Sequence, residues 1–95
     1  MNRQVISVQQ MNHLLETGRY TLIDVRPPRM YRQNHIPGAI NLPYTLIDEW
    51  QKHLVKGQRY IIVCSRGNAS LDAVKQLQNI GIQAVSVDGG MASYQ

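Results

Sequence analysis

The sequence has a single cysteine, Cys64, among its 95 residues. One thiol cannot form a disulfide within the chain, and it cannot supply a zinc or iron–sulfur site built from several thiolates. The three histidines, His13, His35 and His53, do not share the spacing of metal ligands, which argues against a zinc site. We therefore expect no metal and a reducing compartment.

Long apolar segments are also missing. No run approaches the roughly 20 apolar residues that are needed to cross a bilayer, which excludes an integral membrane protein. The first residues, 1–5, lack the apolar stretch and the small-residue cleavage site of a secretory signal. Together with the lone cysteine, these absences predict a cytoplasmic protein.

The chain contains no internal repeat, no low-complexity segment and no linker rich in glycine and serine. Two hydrophobic cores within 95 residues would each lie near the lower size limit for independent folding. We therefore predict a single domain over residues 1–95. Its stability should be modest, because a chain of this size buries only about 60–65% of its unfolded surface.

Acidic residues are few, since six Asp and Glu stand against ten Lys and Arg, giving a formal net charge of +4. The only local cluster of basic side chains is Arg26, Arg29 and Arg32. There is no basic tail and no run in which aromatic and basic residues alternate. We interpret the charge as a solvated basic face that can attract anions, and we expect no nucleic-acid partner.

Short apolar runs rich in β-branched residues predict the strands. Three nearly continuous runs, at 20–25, 60–64 and 83–87, are typical of strands covered on both faces, as in parallel sheets. Weaker signals predict further short strands at 5–7 and 39–41.

Apolar residues at helical spacing lie between these strands. Strands that alternate with helices predict an α/β domain with a small, mainly parallel sheet flanked by helices on both faces. Asp72 is expected in the first turn of the third helix, where a carboxylate complements the helix dipole. Pro27 and Pro28 suit the first turn of another short helix. The three apolar stripes are Val8, Met11, Leu14 and Leu15, followed by Gly18; Leu46, Ile47, Trp50 and Leu54, followed by Gly57; and Leu71, Val74, Leu77 and Ile80, followed by Gly81.

The cysteine lies where ligands bind such sheets, at the carboxyl end of a strand. A tight loop follows Cys64 and leads directly into a helix. The small residues Gly67, Ala69 and Ser70 allow several backbone N–H groups to converge on one point, and such a nest at a helix N-terminus binds anions and stabilises a thiolate. Arg66 adds a mobile positive charge. The alternative is an inert strand-end cysteine, since free cysteine is among the most buried residue types.

Four segments together carry a family resemblance. They are LIDVR at 22–26, HIPGAIN at 35–41, CSRGNAS at 64–70 and DGGM at 88–91. In this order and at this spacing they resemble the single-domain rhodanese-like sulfurtransferases, over nearly the whole chain. The resemblance implies a rhodanese-like α/β fold.

The resemblance also implies a thiosulfate sulfurtransferase that works through a persulfide on Cys64. In that family the cysteine takes a sulfane sulfur from thiosulfate or from a protein persulfide, and passes it to cyanide or to a thiol. No metal or organic cofactor is needed, because sulfur exchange depends on the nucleophile, the leaving group and access. The persulfide would be held by the backbone of the loop residues Ser65, Arg66, Gly67, Asn68, Ala69 and Ser70.

Asp24 and Arg26 match the first motif and are interpreted as supporting residues. We expect Asp24 to hold the active loop, by accepting backbone hydrogen bonds or by pairing with Arg26 or Arg66. Arg26 is expected to form a structural ion pair. Gly89 and Gly90 are expected to serve a tight turn or a close backbone approach.

The sequence departs from the family pattern at two places. Many relatives carry a second arginine or a polar residue where this chain has Ala69, so Arg66 is the only charged side chain in the loop. This weakens the case for an anionic donor and leaves the backbone cradle intact. Relatives often continue with a Trp-containing turn and a short helix near the C-terminus, where this chain has Tyr94.

Two other functions fit parts of the pattern. Tyrosine phosphatases and arsenate reductases also use a thiolate in an anion cradle, but the phosphatase signature needs an arginine at the position of Ser70. The loop from Cys64 to Ala69 is also one residue shorter than that of rhodanese-fold phosphatases. The second alternative is a sulfur carrier or protein-interaction module without turnover.

Overall fold

The computed structural model describes residues 3–94. Within these residues five strands form one sheet, and all four strand pairs are parallel. This confirms the predicted α/β fold, and the two weakly signalled strands are both present, each with two residues. The strands are β1 at Val5–Ile6, β2 at Tyr20–Asp24, β3 at Ile40–Asn41, β4 at Arg59–Val63 and β5 at Gln83–Val87. Their order in the sheet is β1-β5-β4-β2-β3.

In the part of the chain that the structure describes, five α-helices connect or follow the strands, and two 3₁₀ turns, Tyr44–Leu46 and Gln51–His53, flank the third. The first helix begins at a capping box, in which Ser7 and Gln10 each accept a hydrogen bond from the other's backbone N–H. The second begins at Pro28, as predicted from its suitability for a first turn. The helices are α1 at Val8–Glu16, α2 at Pro28–Gln33, α3 at Ile47–Trp50, α4 at Asn68–Asn79 and α5 at Gly90–Ser93.

The two faces of the sheet are covered by different helices. Because side chains alternate along a strand, Ile62 and Cys64 pack with α3 and α4, whereas Ile61 and Val63 pack with α1, α2 and α5. Ile61, Ile62 and Val63 are completely buried, which explains the continuous apolar run in the sequence. Among residues 3–94, no helix combines the length and apolarity that crossing a membrane requires.

The prediction of one continuous apolar helical stripe from Leu46 to Leu54 is wrong. Ile47 and Trp50 are buried, but Leu46 is 54% exposed. The 3₁₀ turns on either side of α3 have three residues per turn instead of 3.6, so the apolar stripe does not stay on one face.

The start of α4 also differs from the prediction. Gly67 has φ of 102° and turns the chain into a helix that begins at Asn68. Asp72 therefore lies in the second turn, beyond the region where a carboxylate interacts most with the helix dipole. The early start brings the first N–H groups of α4 close to Cys64.

Candidate active site

The Cys64 sulfur lies inside the loop that joins β4 to α4. The backbone N–H groups of Gly67 and Ser70 donate to Sγ at 3.1 and 3.2 Å, and the Ser70 hydroxyl lies 3.2 Å from it. The residue is 4% exposed, so most of its surface is occupied by these groups and by the core. Donors that converge on a sulfur at a helix N-terminus stabilise negative charge on it.

Two further N–H groups at this helix start have no hydrogen-bond partner among the described residues. Within residues 3–94, nothing accepts a hydrogen bond from the N–H of Asn68 or Ala69, as is usual for the first residues of a helix. Both residues line the same cavity as Cys64. They are therefore available to an anion or a sulfur atom that enters it.

The carbonyl groups at the start of the loop are held by α5. The N–H of Met91 donates to the Cys64 carbonyl at 2.8 Å, and the N–H of Ala92 donates to the Ser65 carbonyl at 2.9 Å. These are N–H groups from the first turn of α5, which would otherwise lack acceptors. The last helix thus fixes the backbone that carries the thiol.

Gly89 and Gly90 make this contact possible. Both have positive φ, 74° and 57°. A Cβ at Gly90 would overlap the Cys64 carbonyl oxygen and would lie 2.8 Å from the N–H nitrogen of Arg66. The predicted turn and close backbone approach are therefore confirmed, and the backbone that Gly90 approaches is that of the loop after Cys64.

Asp24 and Arg26 form a buried ion pair. Arg26 Nη2 lies 2.8 Å from Asp24 Oδ2, Nε lies 3.0 Å from Oδ1, and the backbone N–H of Arg26 also donates to Oδ1 at 3.0 Å. Nη2 donates further to the Asn34 carbonyl at 2.7 Å, after the end of α2. The expected ion pair of Arg26 is confirmed. The expected pairing of Asp24 with Arg26 is likewise confirmed, and among the described residues the Asp24 carboxylate makes no hydrogen bond to the loop that follows Cys64.

A cavity of about 560 Å³ opens beside the thiol. It lies between the loops that follow β2, β3 and β4, at the carboxyl ends of the strands, as expected for a parallel sheet. Its walls include Pro27, Pro43 and Tyr44, so it is largely apolar. Since the charge of Arg26 is balanced by Asp24, the exposed Arg66 is the cavity's uncompensated cation within the described chain.

A second hydroxyl, which the sequence analysis did not single out, lies behind Ser70. Ser86 Oγ is 2.7 Å from Ser70 Oγ, and the two residues are 1% and 0% exposed. Ser86 comes from β5, where it is paired in register with Ile62 of β4. A polar residue at an inward position of a buried strand was the only signal for it in the sequence.

The sequence matches the Rhodanese-like domain family over residues 7–95, and the chain belongs to that family. Among curated relatives, thiosulfate sulfurtransferase GlpE of Tolumonas auensis is 30% identical over 91 residues, covering 95% of this chain and 86% of the relative. The HTH-type transcriptional regulator Rv0324 of Mycobacterium tuberculosis is 36% identical over 83 residues; the match covers 84% of this chain and only 36% of the regulator.

A solved structure shows the same fold. The rhodanese-related protein from Thermoplasma volcanium superposes with a TM-score of 0.88 at 31% identity, covering 96% of this chain and 89% of that one. The family resemblance and the rhodanese-like fold predicted from the four motifs are thus confirmed. The family includes sulfurtransferases.

Proposed function

We propose that the protein is a sulfurtransferase in which Cys64 carries a sulfane sulfur as a persulfide. The observation that supports this most directly is the environment of the Cys64 sulfur, which accepts hydrogen bonds from two backbone N–H groups and borders an open cavity. The donor is thiosulfate or a persulfide, and the acceptor is cyanide or a thiol. Similarity to a thiosulfate sulfurtransferase agrees with this assignment.

The reaction takes place in two exchanges at sulfur. The Cys64 thiolate attacks the sulfane sulfur of thiosulfate, the bond between the two donor sulfurs breaks, and sulfite leaves with the electron pair. Cyanide or a thiolate then attacks the outer sulfur of the Cys64 persulfide. Thiocyanate or a new persulfide leaves, and the Cys64 thiolate is restored.

The loop residues have distinct roles in this scheme. The N–H groups of Gly67 and Ser70 hold Sγ, which is the nucleophile in the first exchange and the leaving group in the second. The unpartnered N–H groups of Asn68 and Ala69 receive the terminal persulfide sulfur. Arg66, exposed at the cavity, attracts an anionic donor.

Phosphatase chemistry is disfavoured by the position of Ser70. The phosphatase signature requires a guanidinium at this position to clamp the phosphate. The Ser70 side chain is fully buried and is occupied by Cys64 and Ser86, so nothing at that position reaches into the cavity to bind phosphate.

Intact mass spectrometry after incubation with thiosulfate tests the proposal, with Cys64→Ser as the control. We expect the wild-type chain alone to gain one sulfur atom and to lose it again when cyanide is added. Many thiocyanate molecules per chain would indicate an enzyme, and one per chain would indicate a sulfur carrier. If neither thiosulfate nor an organic persulfide adds sulfur to a thiol that iodoacetamide still alkylates, the proposal is wrong.

A further inference from the structure

The Cys64 sulfur is the end of a short chain of buried hydroxyl groups. Ser70 Oγ lies 3.2 Å from Sγ, and Ser86 Oγ lies 2.7 Å from Ser70 Oγ. The exposed fractions of the three residues are 4%, 0% and 1%, so water does not compete for these bonds. In such an environment the direction of each hydrogen bond has a large effect on its neighbours.

We infer that Ser86 is a positioning residue for the proposed sulfur transfer. Ser86 acts through Ser70: it makes the Ser70 hydroxyl donate its hydrogen bond to the Cys64 sulfur. Each hydroxyl has one proton to donate. If Ser86 donates to Ser70 and Ser70 donates to Sγ, both protons are used and both point toward the sulfur. This arrangement is suited to a thiolate, which can only accept.

The reverse arrangement leaves a proton without a partner. If the Cys64 thiol donates to Ser70, then Ser70 donates to Ser86, and the Ser86 hydroxyl needs another acceptor. Within residues 3–94, its only hydrogen-bond partner is Ser70. A buried hydroxyl proton without an acceptor is costly, so the pair favours the direction that ends on a negatively charged sulfur.

The charged groups near the thiol do not account for the effect that we assign to the Ser86 hydroxyl. Arg66 is exposed, and Arg26 is neutralised by Asp24. Tyr44 also lines the cavity, and Asp88 is exposed beyond the end of β5. All these groups stay in place when Ser86 is changed, so an effect of that change can be assigned to the hydroxyl.

The test measures the rate of alkylation of Cys64 by iodoacetamide as a function of pH. In Ser86→Ala, we expect the pH of half-maximal rate to rise by about 0.5–1 unit, because the lost donor weakens a hydrogen bond to the thiolate. Ser86→Thr retains the hydroxyl and should return the curve toward the wild type. Ala84→Gly, on the same strand, removes one methyl group as a matched control and should leave the midpoint unchanged.

A double-mutant cycle tests the route through Ser70. If Ser86 acts only through Ser70, then adding Ser86→Ala to Ser70→Ala should produce no further shift. In sulfur transfer from thiosulfate at pH values below the midpoint of the wild-type alkylation curve, Ser86→Ala should lower kcat about threefold to tenfold and leave KM unchanged, because Ser86 does not line the cavity. The difference in kcat should disappear at high pH.

A Ser86→Ala curve that coincides with the wild-type curve would overturn the inference, and so would an equal shift in Ala84→Gly. The inference rests on the proposed function only where it gives Ser86 a role in catalysis. A wild-type chain that takes no sulfur from any donor while Ser86→Ala still shifts alkylation would overturn the sulfurtransferase assignment and retain the hydroxyl effect on the thiol.

Discussion

The sulfur of Cys64 is surrounded mainly by backbone N–H groups, whose positions depend on the path of the chain and not on side-chain identity. A cradle of this kind tolerates changes at exposed side chains such as Asn68. It responds strongly to changes that move the backbone or remove the sulfur. At the residue scale we therefore expect a substitution of Cys64 to act on the sulfur chemistry and a substitution of Arg66 to act on donor binding.

Replacing the thiol tests its chemical role directly. Cys64→Ser should abolish sulfur transfer, because the hydroxyl of serine does not form a persulfide. The substitution keeps the size of the side chain, so we expect the free energy of unfolding to change by about 1 kcal/mol or less. Thiocyanate production and a urea denaturation curve provide the two measurements. Residual transfer in this variant would show that Cys64 is not the sulfur acceptor.

Arg66 is expected to act on donor binding more than on chemistry. Arg66→Ala should raise the KM for thiosulfate about two- to fivefold, with a smaller effect on kcat, because an exposed charge contributes modestly to binding an anion. The effect should shrink as ionic strength increases. Arg19→Ala, which removes an exposed arginine outside the cavity, is the matched control. Equal KM values for wild type and Arg66→Ala would mean that the backbone N–H groups hold the donor alone.

At the scale of elements, the loop that carries Cys64 depends on α5. Two N–H groups of this helix hold the Cys64 and Ser65 carbonyls, and Gly90 allows the helix to come this close. The loop is thus held by a helix that does not line the cavity. This makes Gly90 a position where a small change should affect both stability and reactivity.

Two glycine substitutions separate the cost of backbone strain from the cost of disturbing the contact between α5 and the Cys64 loop. Gly90 and Gly38 both have positive φ, but a Cβ at Gly38 would meet nothing within 4 Å. Gly38→Ala should therefore cost only the backbone strain, about 1–2 kcal/mol of unfolding free energy. Gly90→Ala should cost about 1–3 kcal/mol more and slow alkylation and sulfur transfer at Cys64. If the two variants are equally active, the contact between α5 and the loop does not control the thiol.

Much of the molecule could be predicted at this scale, for reasons that are local. Buried parallel strands are continuously apolar, so the runs that became β2, β4 and β5 were visible in the sequence. The break around Leu46 was not visible, because 3₁₀ turns and an α-helix share similar apolar spacing over a few residues. Ser86 was missed because its partner, Ser70, is 16 residues earlier, and only the packing of α4 on the sheet brings the two hydroxyl groups together.

At the scale of the whole molecule, one buried ion pair links two elements of the fold. The pair Arg26–Asp24 is the only salt bridge among residues 3–94, and its side chains are 5% and 0% exposed. It links the end of β2 to the end of α2 through the Asn34 carbonyl. A buried guanidinium that loses its carboxylate cannot be solvated, so the stability of the domain should depend on the pair being complete.

Neutralising the carboxylate should therefore destabilise the whole domain. Asp24→Asn should lower the free energy of unfolding by about 3–5 kcal/mol, measured by urea denaturation, because Arg26 keeps a buried charge without a counter-charge. Asp88→Asn removes one exposed carboxylate and should change stability little. A loss below about 1 kcal/mol in Asp24→Asn would show that the Asn34 carbonyl and the surrounding backbone are sufficient for Arg26.

The contact between α5 and the Cys64 loop also has a consequence for the time at which the site is completed. Cys64 is synthesised well before Met91 and Ala92, whose N–H groups hold the loop. On the ribosome, the thiol therefore emerges before the helix that fixes its cradle. A nascent chain that ends before Ala92 would have the thiol without its final geometry, so we expect the proposed sulfur loading to begin only after α5 has left the exit tunnel.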